Sequence, residues 1–184
     1  MRAGVMAEPE KHNADSWFTP GRPTHSDFLA LADLVLAGDA ASSEGNFEGY
    51  VAEHSTVPLK ELTDIALHEA DTLMSSQGVA AFGALMEASW ATGLAAGIRV
   101  SRNAPPPVMA DMERDPAGTA YAGVDPVSVR YVARQRCMRI LKGPAPTPTR
   151  KKMLLAGAWL DAVIVGLRFD EHKSSLSRES DDAG

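Results

Sequence analysis

Cysteine is nearly absent from this 184-residue chain, in which Cys137 is the one thiol. A lone cysteine cannot form an internal disulfide, so the disulfide framework of small secreted domains is excluded. The glycine-rich phosphate loops, nucleophile elbows and paired-cysteine motifs of familiar cofactor enzymes are also missing. Charge and proline occupy residues 1–10, where a secretory signal requires an apolar run. We therefore expect a cytoplasmic protein with none of the common cofactors.

Long hydrophobic runs are scarce as well. The two candidates, 79–98 and 153–167, are interrupted by Glu87 and Asp161. A carboxylate near the middle of a membrane span costs about 2.5–3.5 kcal/mol, and the second run is shorter than the ~20 residues that a bilayer requires. Hydrophobic residues at 45% and charged residues at 23% match a globular average. We expect one soluble domain with a buried core and no membrane contact.

Start and stop signals along the chain predict an all-α fold. Asp125-Pro126 and Thr147-Pro148 each combine an N-cap residue with proline at the first helical position. The first helix is closed by Gly38 and is expected to be deeply buried. The predicted helices span 24–38, 58–76, 79–100, 125–142 and 147–168, with a loop over 39–56.

Composition divides the chain into one helical domain with loose ends. Residues 1–23 are polar and contain proline, which predicts an extended or disordered arm. Its aromatic pair, Trp17-Phe18, either docks on the core or stays exposed. The domain spans 24–172 and includes a linker over 101–124 that is rich in proline and glycine. Residues 173–184 are strongly polar and predict a disordered tail.

Segments 90–100 and 159–169 repeat one pattern, with Trp at the start, Gly at +7, Arg at +9 and apolar residues at +4, +8 and +10. The first residue, the +4 residue and the glycine share one helix stripe, and the glycine permits close approach of another backbone. Two copies of a helical hairpin, at about 57–100 and 125–169, explain the match most simply. Chance similarity between Ala- and Gly-rich helices is the alternative. The copies predict a helical bundle made of two similar hairpins and one N-terminal helix.

An acidic stripe follows one face of the second predicted helix. Glu61, Asp64, His68 and Asp71 are spaced by three, four and three residues, which places them along one side of a helix. Carboxylates together with imidazole suit Mn, Zn or Fe, whereas carboxylates alone favour Mg. The stripe is thus a candidate site for a divalent metal. The alternative is a solvated polar face opposite the apolar residues of the same helix.

The same residues carry a family resemblance. Glu61-Leu62-Thr63-Asp64-Ile65, together with Ala70-Asp71, resembles the second metal-binding helix of the MazG-like, all-α nucleotide pyrophosphohydrolases. Those enzymes hold magnesium with Glu-x-x-Asp on one helix and Glu-x-x-Glu on an earlier helix. The resemblance implies that Glu61 and Asp64 are metal ligands. The earlier pair has no counterpart, because the upstream helix offers only Asp27 and Asp33.

Positive charge is concentrated in the second half of the chain. Residues 1–124 hold 7 Lys/Arg against 17 Asp/Glu, whereas residues 125–173 hold 10 against 4. Cations in a first helical turn oppose the helix dipole, so a bound anion at 150–152 would relieve that repulsion. Phosphate, nucleic acid or an acidic protein face, including the protein's own acidic half, could supply the anion, and a solvated positive face is the alternative. The candidate anion- or partner-binding residues are Arg130, Arg134, Arg139, Lys142, Arg150, Lys151 and Lys152, and Arg136 belongs to the same cluster.

Cys137 lies within this basic helix. Arg134, Arg136 and Arg139 could lower the pKa of its thiol. The helix contains no histidine to act as a base, so a structural thiol is the expectation.

These features favour a non-enzymatic protein that acts through protein–protein contacts and self-associates through its acidic and basic faces. The first alternative is a metal-dependent nucleotide pyrophosphohydrolase of the MazG-like kind. The second is a nucleic-acid binder that uses the basic half.

Overall fold

The computed structural model of the protein describes residues 25–43, 45–75, 81–106, 123–141 and 146–183. Within these ranges helices joined by short turns make up the fold and no strand occurs, so the predicted all-α class is confirmed. No described helix combines the length and apolar character that crossing a membrane requires. The predicted arm 1–23 and most of the linker 101–124 lie outside the described residues. The helices are α1 (His25–Ser43), α2 (Phe47–His54), α3 (Leu59–Ser75), α4 (Phe82–Ser101), α5 (Pro126–Ile140) and α6 (Pro148–Asp182).

Both predicted N-caps are confirmed. The Asp125 carboxylate accepts hydrogen bonds from the backbone N–H groups of Val127 (3.3 Å) and Ser128 (3.0 Å) at the start of α5. The Thr147 hydroxyl accepts from the backbone N–H of Arg150 (3.4 Å) at the start of α6. These side chains satisfy backbone donors that have no partner inside the helix.

The region after residue 38 is more helical than predicted. α1 continues through Gly38 to Ser43, and a methyl group on Gly38 would lie 3.8 Å from the Ile164 side chain. This glycine therefore lies against α6 and does not end its helix. α2 occupies part of 39–56, where a loop was predicted, because its Val51 is buried in the core. A short helix anchored by one apolar residue leaves little periodicity in the sequence.

The C-terminal helix is also longer than predicted, since α6 continues from 168 to Asp182 through part of the predicted disordered tail 173–184. Long-range contacts hold this extension to the body of the fold. Lys173 pairs with Asp27 at 2.7 Å, and His172 lies 3.3 Å from Asp33. Leu176 packs against the core. Composition alone could not show these partners, which come from α1.

The core is built around the close crossing of α4 and α6. Gly97 and Gly166, the glycines of the two matching sequence patterns, face each other there. A Cβ atom on Gly97 would lie 2.9 Å from the Gly166 Cα and 3.0 Å from the Leu167 nitrogen. Conversely, a Cβ atom on Gly166 would lie 2.9 Å from the Gly97 Cα and 2.8 Å from the Ile98 nitrogen. The two backbones touch at this point, and only glycine leaves room for the contact.

α3 and α5 each pack mainly on a helix that does not directly follow them in the chain. α3 lies mainly against α6 and only slightly against α4, although α3 and α4 are consecutive. α5 packs against α4. α1 lies over α5 and α6. The first helix of each predicted hairpin therefore packs mainly on the second helix of the other one.

Candidate functional site

An open groove of about 290 Å³ lies between α1 and α5. Phe28 on α1 and Tyr131 on α5 both line it and meet edge to face, with ring centroids 5.3 Å apart. Most of the lining is apolar, and polar groups enter from α5 alone. The lining residues are Phe28, Ala32, Val35 and Leu36 from α1, and Tyr131, Val132, Gln135, Arg136 and Arg139 from α5.

Two polar contacts link α1 to α5, one toward each end of the groove. Near the start of both helices, the buried Asp27 carboxylate accepts a hydrogen bond from the Asp125 backbone N–H at 2.8 Å. Near their ends, the Arg136 guanidinium donates to the Asp39 carboxylate at 3.0 Å. The first turn of α1 thus contacts the start of α5, and the later part of α1 contacts the later part of α5. The two helices therefore run parallel. Between the two contacts the small side chain of Ala32 leaves the groove open.

Arg136 links the lining of the groove to the core. Its guanidinium donates to both Asp161 oxygens, at 3.0 Å and 2.7 Å, and the Trp90 indole N–H donates to the same carboxylate at 3.0 Å. The hydrogen bond to Asp161 raises the pKa of Arg136 further above its usual range, with a smaller contribution from Asp39. This arginine is a fixed structural cation, and it differs in that respect from the other members of the basic cluster.

Exposed apolar side chains are concentrated on the same two helices. Four large hydrophobic residues are exposed within the described part of the chain, and three of them, Leu29, Leu36 and Met138, lie on α1 and α5. Leu36 is 63% exposed at one side of the groove. The sequence prediction that α1 is deeply buried is therefore wrong for this face. Apolar patches bordered by polar groups mark interaction surfaces in soluble proteins.

The predicted basic residues divide into engaged and free side chains. Lys152 pairs with Asp71 at 2.7 Å, and the Lys151 ammonium lies 5.5 Å from the centre of the Phe82 ring. The remaining candidates have no carboxylate of the described residues within ion-pairing distance. Lys142 lies outside the described residues. The unpaired candidates are Arg130, Arg134 and Arg139 on α5, and Arg150 on α6.

The acidic stripe lies on the exposed side of α3. Glu61, Asp64, His68 and Asp71 all face solvent, and Asp71 is engaged by Lys152. Across the described ranges, no three His, Cys, Asp or Glu side chains come together as a set that could hold a metal ion. The upstream carboxylates named in the MazG-like resemblance are used in contacts to α5 and α6. The metal site remains a prediction that no clustering of these side chains supports.

Cys137 is buried in the core on the inner side of α5. Burial raises the pKa of its thiol to about 12, and the nearby Glu87 and Asp161 carboxylates act in the same direction. Arg136 lowers the pKa, but its effect is smaller than these. The expectation of a structural thiol is therefore supported. The effect of Arg136 on the pKa of the thiol is too small to outweigh burial.

We predict that Cys137 does not react with a disulfide reagent such as Ellman's reagent in the native protein at pH 8. The thiolate is the reacting species, and burial disfavours it while also blocking access. In guanidinium chloride the same residue should react completely and fast. Rapid stoichiometric labelling of the native protein would show that α5 is not packed as described.

Comparison of the chain with protein-family models, curated proteins and solved structures finds no match.

Proposed function

We propose that this protein is a non-enzymatic helical binding protein that acts through protein–protein contacts and self-associates. The observation that carries the proposal is the apolar groove between α1 and α5. Leu36 is exposed at its side, and its lining includes Arg139, which pairs with no carboxylate of the described residues. An isolated domain gains nothing from an exposed leucine beside an open groove. A docked apolar anchor would remove both surfaces from water.

Charge defines the kind of surface that fits. Arg139 is an exposed cation on α5 that lines the groove, and Arg130 and Arg134 are further cations on the same helix. The complementary surface carries carboxylates beside an apolar side chain. A second copy of this chain offers such carboxylates, because Glu61 and Asp64 are exposed on α3. Complementary charge of this kind mainly accelerates encounter and selects the partner.

Size supports a contact that extends beyond the groove. A stable interface buries about 800 Å² on each partner. A groove of about 290 Å³ accommodates one anchoring side chain. The remaining area has to come from neighbouring parts of the same two helices, where Leu29 and Met138 are exposed. The proposed docking surface therefore comprises the outer faces of both α1 and α5.

Charge reversal at Arg139 tests this proposal. Arg139→Glu should weaken self-association at low salt at least about tenfold, which corresponds to about 1.4 kcal/mol, because two acidic faces would then oppose each other. Raising the ionic strength should weaken self-association of the wild-type protein and reduce the difference in affinity between the wild-type protein and Arg139→Glu. Sedimentation velocity over a concentration series measures both effects. The matched control is Arg178→Glu, which makes the same change on the exposed end of α6.

A second variant identifies the opposing surface. Asp64→Arg should weaken association to a similar extent if the α3 face of another copy is the partner. Wild-type behaviour of Asp64→Arg, combined with loss of self-association in Arg139→Glu, would place the opposing surface on a part of the second copy other than the α3 face. A salt-independent oligomer that neither variant changes would contradict the proposal.

We also infer that the two matching sequence patterns record the duplication of a helix pair. The contacts at the α4–α6 crossing are reciprocal, since Gly97 faces Gly166 and Leu167 while Gly166 faces Gly97 and Ile98. The exchanged packing of α3 on α6 and α5 on α4 is reciprocal in the same way. Chance similarity of two helices would not be expected to produce equivalent contacts in both directions.

A further inference from the structure

We propose that the protein assembles head to tail, with the groove between α1 and α5 of one copy bound to the acidic face of α3 on the next, so that open chains form in place of a closed dimer. The acidic face is the exposed stripe of α3 that comprises Glu61, Asp64, His68 and Asp71. The inference rests on the proposed function, because it names the opposing surface and the form that self-association takes.

The central helices α4 and α6 run parallel. Near their starts, the Ser89 hydroxyl donates to the Leu155 carbonyl oxygen at 2.8 Å. At the end of α4, the Arg102 guanidinium donates to the Asp170 carboxylate at 2.6 Å. The first pair is 66 residues apart in the sequence and the second pair 68. An offset that stays nearly constant along the contact requires both helices to run in the same direction.

This parallel pair places α3 and α5 on opposite sides of the molecule. α3 packs mainly on α6, whereas α5 packs on α4. The operation that exchanges two parallel helices is a half-turn about an axis between them, and it carries a helix from one side of the pair to the other. Because this half-turn relates α3 to α5, the two helices lie on opposite sides. Their described residues accordingly make no substantial contact with each other.

The groove and the acidic face both point away from the central pair. The inner side of α3 is buried through Leu62, Ala66 and Leu73, and the acidic face is on its other side, exposed to solvent. On the opposite side of the molecule, the groove is open between α1 and α5, with Leu36 exposed beside it. Each copy therefore presents one groove and one acidic face, in roughly opposite directions.

Charge favours contact between unlike faces over contact between like faces. Arg139 lines the groove and pairs with no carboxylate of the described residues. Two grooves in contact would bring the Arg139 side chains of both copies together, and two acidic faces would do the same for the Asp64 carboxylates. Both arrangements are disfavoured by like-charge repulsion, whereas a groove against an acidic face joins opposite charges.

Contact between two different faces sets the form of the assembly. Such an interface is heterologous, and it produces a ring if the rotation between copies closes and an open chain if it does not. A closed dimer would need the groove and the acidic face on the same side of the molecule. With the two on opposite sides, every assembly ends in a free groove and a free acidic face. Assemblies should therefore grow with concentration and have no preferred final size.

Two variants that each block one end of a chain test this arrangement. Leu36→Glu blocks the groove, and Asp64→Arg reverses charge on the acidic face. Both side chains are exposed, so neither change should unfold the protein. Each variant alone should self-associate at least about tenfold more weakly than the wild-type protein. An equimolar mixture should form a 1:1 dimer and nothing larger, because the groove is intact in Asp64→Arg and the acidic face is intact in Leu36→Glu.

Sedimentation velocity at low salt measures these species. The average mass of the wild-type protein should rise steadily with concentration and pass beyond that of a dimer. Glu179→Arg is the control for Asp64→Arg, since it makes the same change on the exposed end of α6 and should assemble like the wild-type protein. Circular dichroism checks that each variant is folded.

Three results would overturn the inference. The first is an average mass of the wild-type protein that levels off at a dimer. The second is self-association of Asp64→Arg as strong as that of the wild-type protein. The third is an equimolar mixture of the two blocking variants that remains monomeric at concentrations where the wild-type protein assembles.

These outcomes separate the inference from the proposed function. If Leu36→Glu weakens self-association but the wild-type protein stops at a dimer, or Asp64→Arg assembles normally, only the head-to-tail inference fails. If the wild-type protein is monomeric at all concentrations, or if its association responds neither to groove variants nor to salt, the proposed function itself fails.

Discussion

Gly166→Ala should destabilise the protein by about 3 kcal/mol, at the upper end of the range for overpacked cores. The added methyl group would lie 2.9 Å from the Gly97 Cα and 2.8 Å from the Ile98 nitrogen, and it would collide with the Leu94 carbonyl oxygen. All of these atoms belong to the α4 backbone, so no side-chain rotation relieves the clash. The helices would have to separate, and the buried residues around the crossing would lose contacts.

Gly157→Ala is the matched control in the same helix. A Cβ atom on Gly157 has no neighbour within 4 Å, and the residue is exposed. This substitution should stabilise the protein by roughly 0.5–1 kcal/mol, because alanine has the higher helix propensity. Urea unfolding followed by circular dichroism measures both changes. Equal effects of the same sign at the two glycines would refute the close crossing of α4 and α6.

Asp161→Ala should cost about 3 kcal/mol of unfolding free energy. The variant removes the shared acceptor of Arg136 and of the Trp90 indole N–H, and leaves two polar groups largely buried without that partner. The Arg136 side chain is only 16% exposed and Asp161 only 25%, so water compensates poorly. Asp39 still binds Arg136, which keeps the loss near the lower end of the 3–5 kcal/mol seen for broken buried pairs.

Asp71→Ala is the control for Asp161→Ala, since it also removes a carboxylate that pairs with a cation. Asp71 is 58% exposed and its partner Lys152 is 37% exposed. Exposed pairs of this kind contribute only about 0–1 kcal/mol. Denaturant unfolding of both variants should therefore show a clear difference. A loss at Asp161 as small as the loss at Asp71 would mean that the Arg136 network does not hold the helices together.

Local signals predicted the framework of the fold well. The N-caps at Asp125 and Thr147 are recognised from two adjacent residues, because each satisfies backbone donors within one helical turn. The pattern shared by Gly97 and Gly166 likewise indicated a close helix contact before any partner was known. The structure shows that these two glycines contact each other.

The remaining elements depend on partners far away along the chain. Asp27 lies in the first turn of α1, yet it is buried and holds the start of α5, 98 residues further on. The tail of α6 stays helical through Lys173 and its contact with the same carboxylate. The residues next to these positions in the sequence do not indicate either contact, so neither could be predicted from one sequence.

The candidate site could be predicted from the sequence only in part, because it too depends on contacts between distant residues. Arg139 was recognised as a basic residue, but its neighbour Arg136 proved to be a structural cation, and Lys152 is paired with the acidic face of α3. Leu36 resembles an ordinary core residue in the sequence. It faces outward because α1 turns other apolar residues toward α5 and α6, and only the packed structure reveals which face remains uncovered.

The most direct test of the docking surface compares Leu36→Glu with Met153→Glu by sedimentation equilibrium at low salt. Both substitutions place a carboxylate at an exposed apolar position, and the two side chains are 63% and 59% exposed, so neither should unfold the protein. Because Leu36 borders the groove and Met153 does not, we predict that Leu36→Glu is monomeric at concentrations where wild-type protein and Met153→Glu associate. Equal association of both variants and the wild-type protein would contradict the assignment of the groove as the docking site.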